Sequence, residues 1–144
     1  MSTERKVDVF AALILVLSLI GLILLAALDF AAFYLPNYGT RYSCLGCEYS
    51  TSGDLAAQII ILILLIIQIL IALNDLLPNK FIKKDLEKYG MFLAVATVLF
   101  AIIGISSFGA EYGDYDWWAA EGFWGSIIAG LLNTILFFLK YRNK

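Results

Sequence analysis

An all-α membrane protein, a bundle of four transmembrane helices, is the fold class that this sequence predicts, and three observations predict it. Four long apolar stretches contain no Lys or Arg. Nine of the ten Lys and Arg residues fall on one side of the membrane those stretches imply. The 144 residues are 62% hydrophobic and 15% charged, with a mean hydropathy of +0.87, whereas soluble domains run about 45–50% apolar and about 25% charged. A soluble core of this size cannot hide so much Ile and Leu, so lipid must take the excess.

The first span is expected at about 9–28, roughly 30 Å at 1.5 Å per residue. Its apolar run exceeds the 7–15 residues of a signal-peptide core, so it reads as a retained span. The second, 55–73, is almost pure Ile and Leu, broken by Gln58 and Gln68. The third and fourth, 91–108 and 123–139, are shorter and call for a thin bundle or for extension by interfacial aromatic residues. With outer loops 29–54 and 109–122 and an inner loop 74–90, residues 1–144 form a single integral membrane domain.

Charge sets the expected orientation. Arg5 and Lys6 precede the first span, Lys80, Lys83, Lys84 and Lys88 lie in the inner loop, and Lys140, Arg142 and Lys144 follow the fourth. The outer loops hold only Arg41. Short basic loops stay cytoplasmic, which predicts cytoplasmic N- and C-termini and a small extracytoplasmic cap. A multi-pass protein of the plasma membrane is expected.

The absence of histidine removes the usual haem ligand, most zinc and copper chemistry and the commonest general base. No nucleic-acid module signature, phosphate loop, nucleophile elbow or HExxH is present. No cofactor and no nucleic-acid partner is expected. Asp8, Asp29 and Asp75 are placed near interfaces within reach of water, which disfavours a pump.

In lipid, helices associate through small residues and interhelical hydrogen bonds, not through Leu and Ile. The third span offers Gly90, Ala94, Thr97, Ala101 and Gly104 as a seam. The fourth offers Gly122, Ser126 and Gly130, with Gly125, Ala129 and Asn133 on an adjoining stripe. These two faces are the expected close contact. Ser18 and Gly21 form a lesser seam on the first span. Gln68 and Asn133, amides at membrane depth, should turn inward and bond, each contact being worth on the order of 1 kcal/mol.

Cys44 and Cys47 are the only cysteines, spaced C-x-x-C in the first outer loop. A structural disulfide, a redox-active pair and half of a metal knuckle compete for that spacing. Four spans, inward termini and Cys44-Leu45-Gly46-Cys47 resemble the membrane oxidoreductases that pass disulfide-forming electrons to quinone. The resemblance implies a cycling Cys44–Cys47 pair with quinone as cofactor. That family's second cysteine pair is absent here, and Thr51 stands where its quinone-contacting arginine would be. In layout the chain is also similar to claudin-like and tetraspanin-like proteins, but its first loop lacks tryptophan and its second lacks Cys-Cys-Gly.

The second outer loop gathers Tyr112, Tyr115, Trp117, Trp118 and Trp124 among four carboxylates. This composition suits an aromatic belt at the outer interface or a surface for a partner. Asp114 and Asp116 are spaced for a hard cation, yet the Gly and distal Glu of a calcium loop are missing, so no metal is expected. The sequence therefore predicts a non-catalytic accessory, assembly or adhesion protein, embedded in the bilayer as a homo-oligomer or within a larger membrane complex. The alternatives are the quinone-linked thiol–disulfide oxidoreductase and a small channel or carrier built on Gln58, Gln68 and Asn133.

Overall fold

A computed structural model describes residues 9–45, 52–77 and 86–142. Four helices, α1 (Val9–Ala27), α2 (Ser52–Leu76), α3 (Glu87–Tyr112) and α4 (Glu121–Arg142), are each long and apolar enough to cross a membrane. The chain is mostly helical, as expected, but not all-α. Three short strands, β1 (Ala31–Leu35), β2 (Gly39–Ser43) and β3 (Asp116–Ala119), form an antiparallel sheet in the order β2-β1-β3.

Both connections on one side of the bundle contribute to that sheet. Strand β1 pairs with β2 from its own loop, through Ala31↔Ser43 to Leu35↔Gly39. On its other edge it pairs with β3 from the far loop, through Ala31↔Ala119 to Tyr34↔Asp116. The β1–β2 turn explains itself chemically. Pro36 supplies a fixed φ at the second turn position, Asn37 follows at φ 79°, and the Tyr38 N–H donates to the Leu35 carbonyl at 3.1 Å. Asn tolerates this left-handed backbone better than most side chains, and Gly39, at φ 85°, has no Cβ to clash. Further backbone bonds join the sheet to the helix ends: Phe30 N–H to Ser43 O at 2.8 Å, Ala120 N–H to Phe30 O at 2.9 Å, and Gly122 N–H to Asp29 O at 2.8 Å.

Helices α3 and α4 begin before and end beyond the predicted spans. At 26 and 22 residues they reach about 39 and 33 Å, enough for a hydrocarbon core of about 30 Å. Polar and aromatic residues at their ends continue the helix into the interfacial layers, where apolar content alone underestimates length.

Each helix packs chiefly on two neighbours, α1 on α2 and α4, and α3 on α2 and α4, so α1 and α3 stand on one diagonal. Large side chains such as Ile23, Leu70, Ile103 and Ile135 point out of the bundle, the reverse of a soluble core and the arrangement a lipid solvent favours. Inside, two apolar clusters are stacked along the axis. The sheet-end cluster contains Leu25, Phe30, Phe33, Ile61, Leu65 and Phe108, and the other contains Ile14, Ile71, Ala94 and Phe137.

The predicted small-residue seams are buried along their length: Gly90, Ala94, Thr97, Ala101 and Gly104 on α3, and Gly122, Ser126 and Gly130 on α4. Their partners are more varied than a single α3–α4 contact. A Cβ added at Gly130 would come within 2.6 Å of Val98 Cγ2, and one at Gly90 within 2.4 Å of the Phe137 ring, so both lie at the α3–α4 contact. Gly104 instead faces Ala57 of α2 and Phe30, while Gly122 meets the backbone of Asp29 and Phe30. The adjoining α4 stripe belongs to α1: a Cβ at Gly21 would lie 2.9 Å from Ala129 Cβ and 3.2 Å from the Gly125 carbonyl.

Candidate functional site

Between the two apolar clusters lies one polar residue from each helix: Ser18, Gln68, Thr97 and Asn133, all wholly buried. The Asn133 side-chain amide donates to Ser18 Oγ at 2.7 Å and to Gln68 Oε1 at 2.8 Å. The Gln68 amide in turn donates to Thr97 Oγ1 at 2.8 Å and to its own helix's Leu64 carbonyl at 3.2 Å. The Thr97 hydroxyl donates to the Leu93 carbonyl at 2.9 Å. The layer joins all four helices, and its donors are satisfied internally in a region where water would be scarce. Gln68 and Asn133 thus meet each other, and Ser18 and Thr97 complete the set. Asn133 Oδ1 is the one acceptor of this layer left without a hydrogen bond.

A second polar cluster anchors the sheet. Ser43, the last residue of β2, donates its hydroxyl to the Asp54 carboxylate in the first turn of α2, and Gln58 one turn on donates to Ser43 Oγ at 3.2 Å. All three are fully buried. The sequence marked Gln58 as a polar break in an apolar run and as a lining residue of the channel alternative, with no partner assigned. The signal for its partners was the placement of Ser43 and Asp54 on either side of the cysteine segment, which becomes readable only once β2 is recognised as a strand.

A third lies at the end bearing the termini. Lys140 Nζ of α4 is 3.0 Å from Asp75 Oδ2 of α2, with the two side chains only 6% and 5% exposed. Asn74 and Glu87 are buried in the same part of the bundle ends. Asp75 was expected within reach of water; it is instead enclosed with a cation. Burying a carboxylate in this way requires such a partner, and Lys140 carries its charge there on a long apolar stem.

The aromatic loop residues separate into two groups. Tyr112 is half-buried and stacks on Phe33, with ring centroids 4.0 Å apart and planes at 13°. Phe108 lies against both, and Trp117 against Phe108 at 6.0 Å. Trp117 also covers Gly109, where a Cβ would fall 2.4 Å from its ring. Trp117 keeps an exposed edge, and Tyr115, also exposed, lies against Phe33 at 5.7 Å, while Trp118 and Trp124 are exposed. Asp114 and Asp116 are exposed as well, and no group of three or more His, Cys, Asp or Glu suited to a metal occurs among the described residues. Asp29, between α1 and β1, has its carboxyl held above the ordinary range, first by burial and then by the nearby charge of Glu121.

Cys44 follows β2 and is half-buried. Cys47 lies outside the described residues, and with it the geometry of the pair. The inner loop's Lys80, Lys83 and Lys84 and the terminal Arg5, Lys6 and Lys144 also lie outside them.

The chain is thus one with four helices of membrane-crossing length and a three-stranded sheet formed by two of their connections. Comparison with protein-family models, curated proteins and solved structures returned no match to it.

Proposed function

We propose that this chain is a non-catalytic four-span protein of the plasma membrane that serves as an accessory or assembly subunit, with both termini cytoplasmic and its sheet outside. In that orientation the basic segments remain inside and Cys44 and Cys47 occupy an oxidising compartment, where a structural disulfide persists. The observation that carries the reading is the use made of the polar side chains. Ser18, Gln68, Thr97 and Asn133 bond to one another across the bundle, which makes them packing elements. Meanwhile Tyr115, Trp118 and Trp124 are exposed at the sheet end, residue types that serve well as interface anchors.

The test is extraction of native membranes into mild detergent, followed by size analysis and identification of co-purifying chains. A homo-oligomer or a reproducible complex is expected. Monomers alone, with no companion protein, would overturn the proposal. Thiol trapping adds a separate check: a structural Cys44–Cys47 pair stays oxidised when quinone is depleted, and a pair that accumulated in the reduced form would instead establish the electron-transfer role.

A further inference from the structure

The sheet has two chemically different faces, and strand alternation assigns them. Successive side chains of a strand point to opposite faces. Phe33 packs on Phe108 and Tyr112 of α3, and Ser43 bonds to Asp54 and Gln58 of α2, so these residues mark the face turned toward the bundle. The register then places Tyr34, Tyr42, Trp118, Thr40 and Asp116 on the face turned away. Tyr42, Ala32 and Trp118 form one row across the three strands, and Thr40, Tyr34 and Asp116 form the next.

Tyr34, Tyr42 and Trp118 are 45%, 46% and 44% exposed, yet Ala32 between two of them has no exposed surface. Large side chains therefore flank a small central residue, and the face presents an aromatic ring from each of the three strands. Asp116 carries a carboxylate on this face, and the segment 111–121 that contains it adds Glu111, Asp114 and Glu121, all exposed, and no Lys or Arg. Arg41 is the only basic residue in either sheet-end connection, and its strand position assigns it to the opposite face.

We infer that this face docks a cationic, Arg- or Lys-bearing polypeptide segment of a partner protein, whose cations lie over the rings of Tyr34, Tyr42 and Trp118 beside the Asp116 carboxylate. Ring faces attract cations, and Asp116 with the negative charge of the 111–121 segment supplies the complementary charge. A second copy of this chain does not suit the face, because it presents the same acidic segment and its Arg41 lies on the opposite face. The inference rests on the assembly role proposed above and adds the chemistry of the partner.

The test uses the full chain in nanodiscs of zwitterionic phosphatidylcholine, titrated with fluorescent nona-arginine and with nona-glutamate as the control peptide. Nona-arginine should bind, with an affinity that falls as salt is raised. Trp118→Ala should weaken binding about three- to tenfold, Trp118→Tyr should retain most of it, and Asp116→Asn should weaken it about two- to threefold while flattening its salt dependence. Phe92→Leu, at an exposed position near the start of α3 and far from the sheet, should leave binding unchanged. Asp116 is exposed, so its variant keeps the test informative even if Trp118→Ala disturbs the sheet. Equal binding of the two peptides, or unaltered nona-arginine binding by both Trp118→Ala and Asp116→Asn, would overturn the cationic-partner assignment. A native complex that dissociates on Trp118→Ala would still uphold the assembly role in that case, whereas the lack of any native complex would remove the assembly role itself.

Discussion

Replacing Asn133 by Ala removes the donor that ties α4 to α1 and α2 at once, through the 2.7 Å bond to Ser18 and the 2.8 Å bond to Gln68. Side-chain hydrogen bonds between membrane helices average about 0.6 kcal/mol and reach about 1.7 kcal/mol. Two such bonds contribute roughly 1–3 kcal/mol. The loss also leaves Gln68 Oε1 without this donor in a fully buried setting, where a lone acceptor costs about 1–3 kcal/mol. Because Gln68 keeps its own bonds to Thr97 and Leu64, the amide stays oriented and cannot turn freely to find a substitute. A total destabilisation of about 2–6 kcal/mol is expected. Equilibrium unfolding in mixed micelles, followed by circular dichroism, measures it. A cycle with Gln68→Ala should give a coupling of about 0.6–1.7 kcal/mol, since the two residues share one bond. A loss below about 0.5 kcal/mol, with effects of the two changes adding within about 0.3 kcal/mol, would refute the idea that this layer holds the helices together.

Three other outcomes are expected. Gly90→Ala places a methyl group against the buried Phe137 ring and should destabilise the bundle by about 1–3 kcal/mol through overpacking, measured in the same unfolding assay. Lys140→Met leaves the enclosed Asp75 carboxylate without its cation and should cost about 3–5 kcal/mol, while adding Asp75→Leu should recover much of that loss. Asp29 has its folded-state pKa raised, so the native state holds its proton more tightly and this residue's contribution to stability falls as pH rises from about 3.8 through the folded value. Asp29→Asn should therefore raise the melting midpoint at pH 7 and have little effect at pH 3, as thermal scans at the two pH values will show.

The helical part of this fold was legible because lipid imposes a simple rule, that long apolar runs become helices and their small or polar residues turn inward. That rule identified the buried seams on α3 and α4 and the amides Gln68 and Asn133. Ser18 was visible only as part of a minor seam, because nothing local ties a serine on α1 to an asparagine 115 positions away. The sheet was hidden for a different reason. Its strands are only four and five residues long, and the alternation they contain is blurred by aromatic side chains on both faces. The run Leu35-Pro36-Asn37-Tyr38-Gly39 did carry a turn signal. Its pairing with β3 could not be read locally, since that partner comes from the other loop. Without the sheet, Trp117 and Trp118 looked like equivalent members of one belt, and the register places them on opposite faces. Likewise, the closeness of Lys140 to Asp75 depends on the ends of α2 and α4 lying within reach of a long lysine side chain, which no linear pattern records.

The central position of β1 has a consequence for how the protein is made. Its neighbours come from opposite halves of the chain, as the pairs Ala31↔Ser43 and Ala31↔Ala119 show. A nascent chain that has inserted only α1 and α2 holds β1 with one row of backbone groups still open. That edge can close only once α3 and the β3 strand that follows it have been made. A chain ending before Asp116 therefore keeps the β1–β2 hairpin with one edge of β1 unpaired.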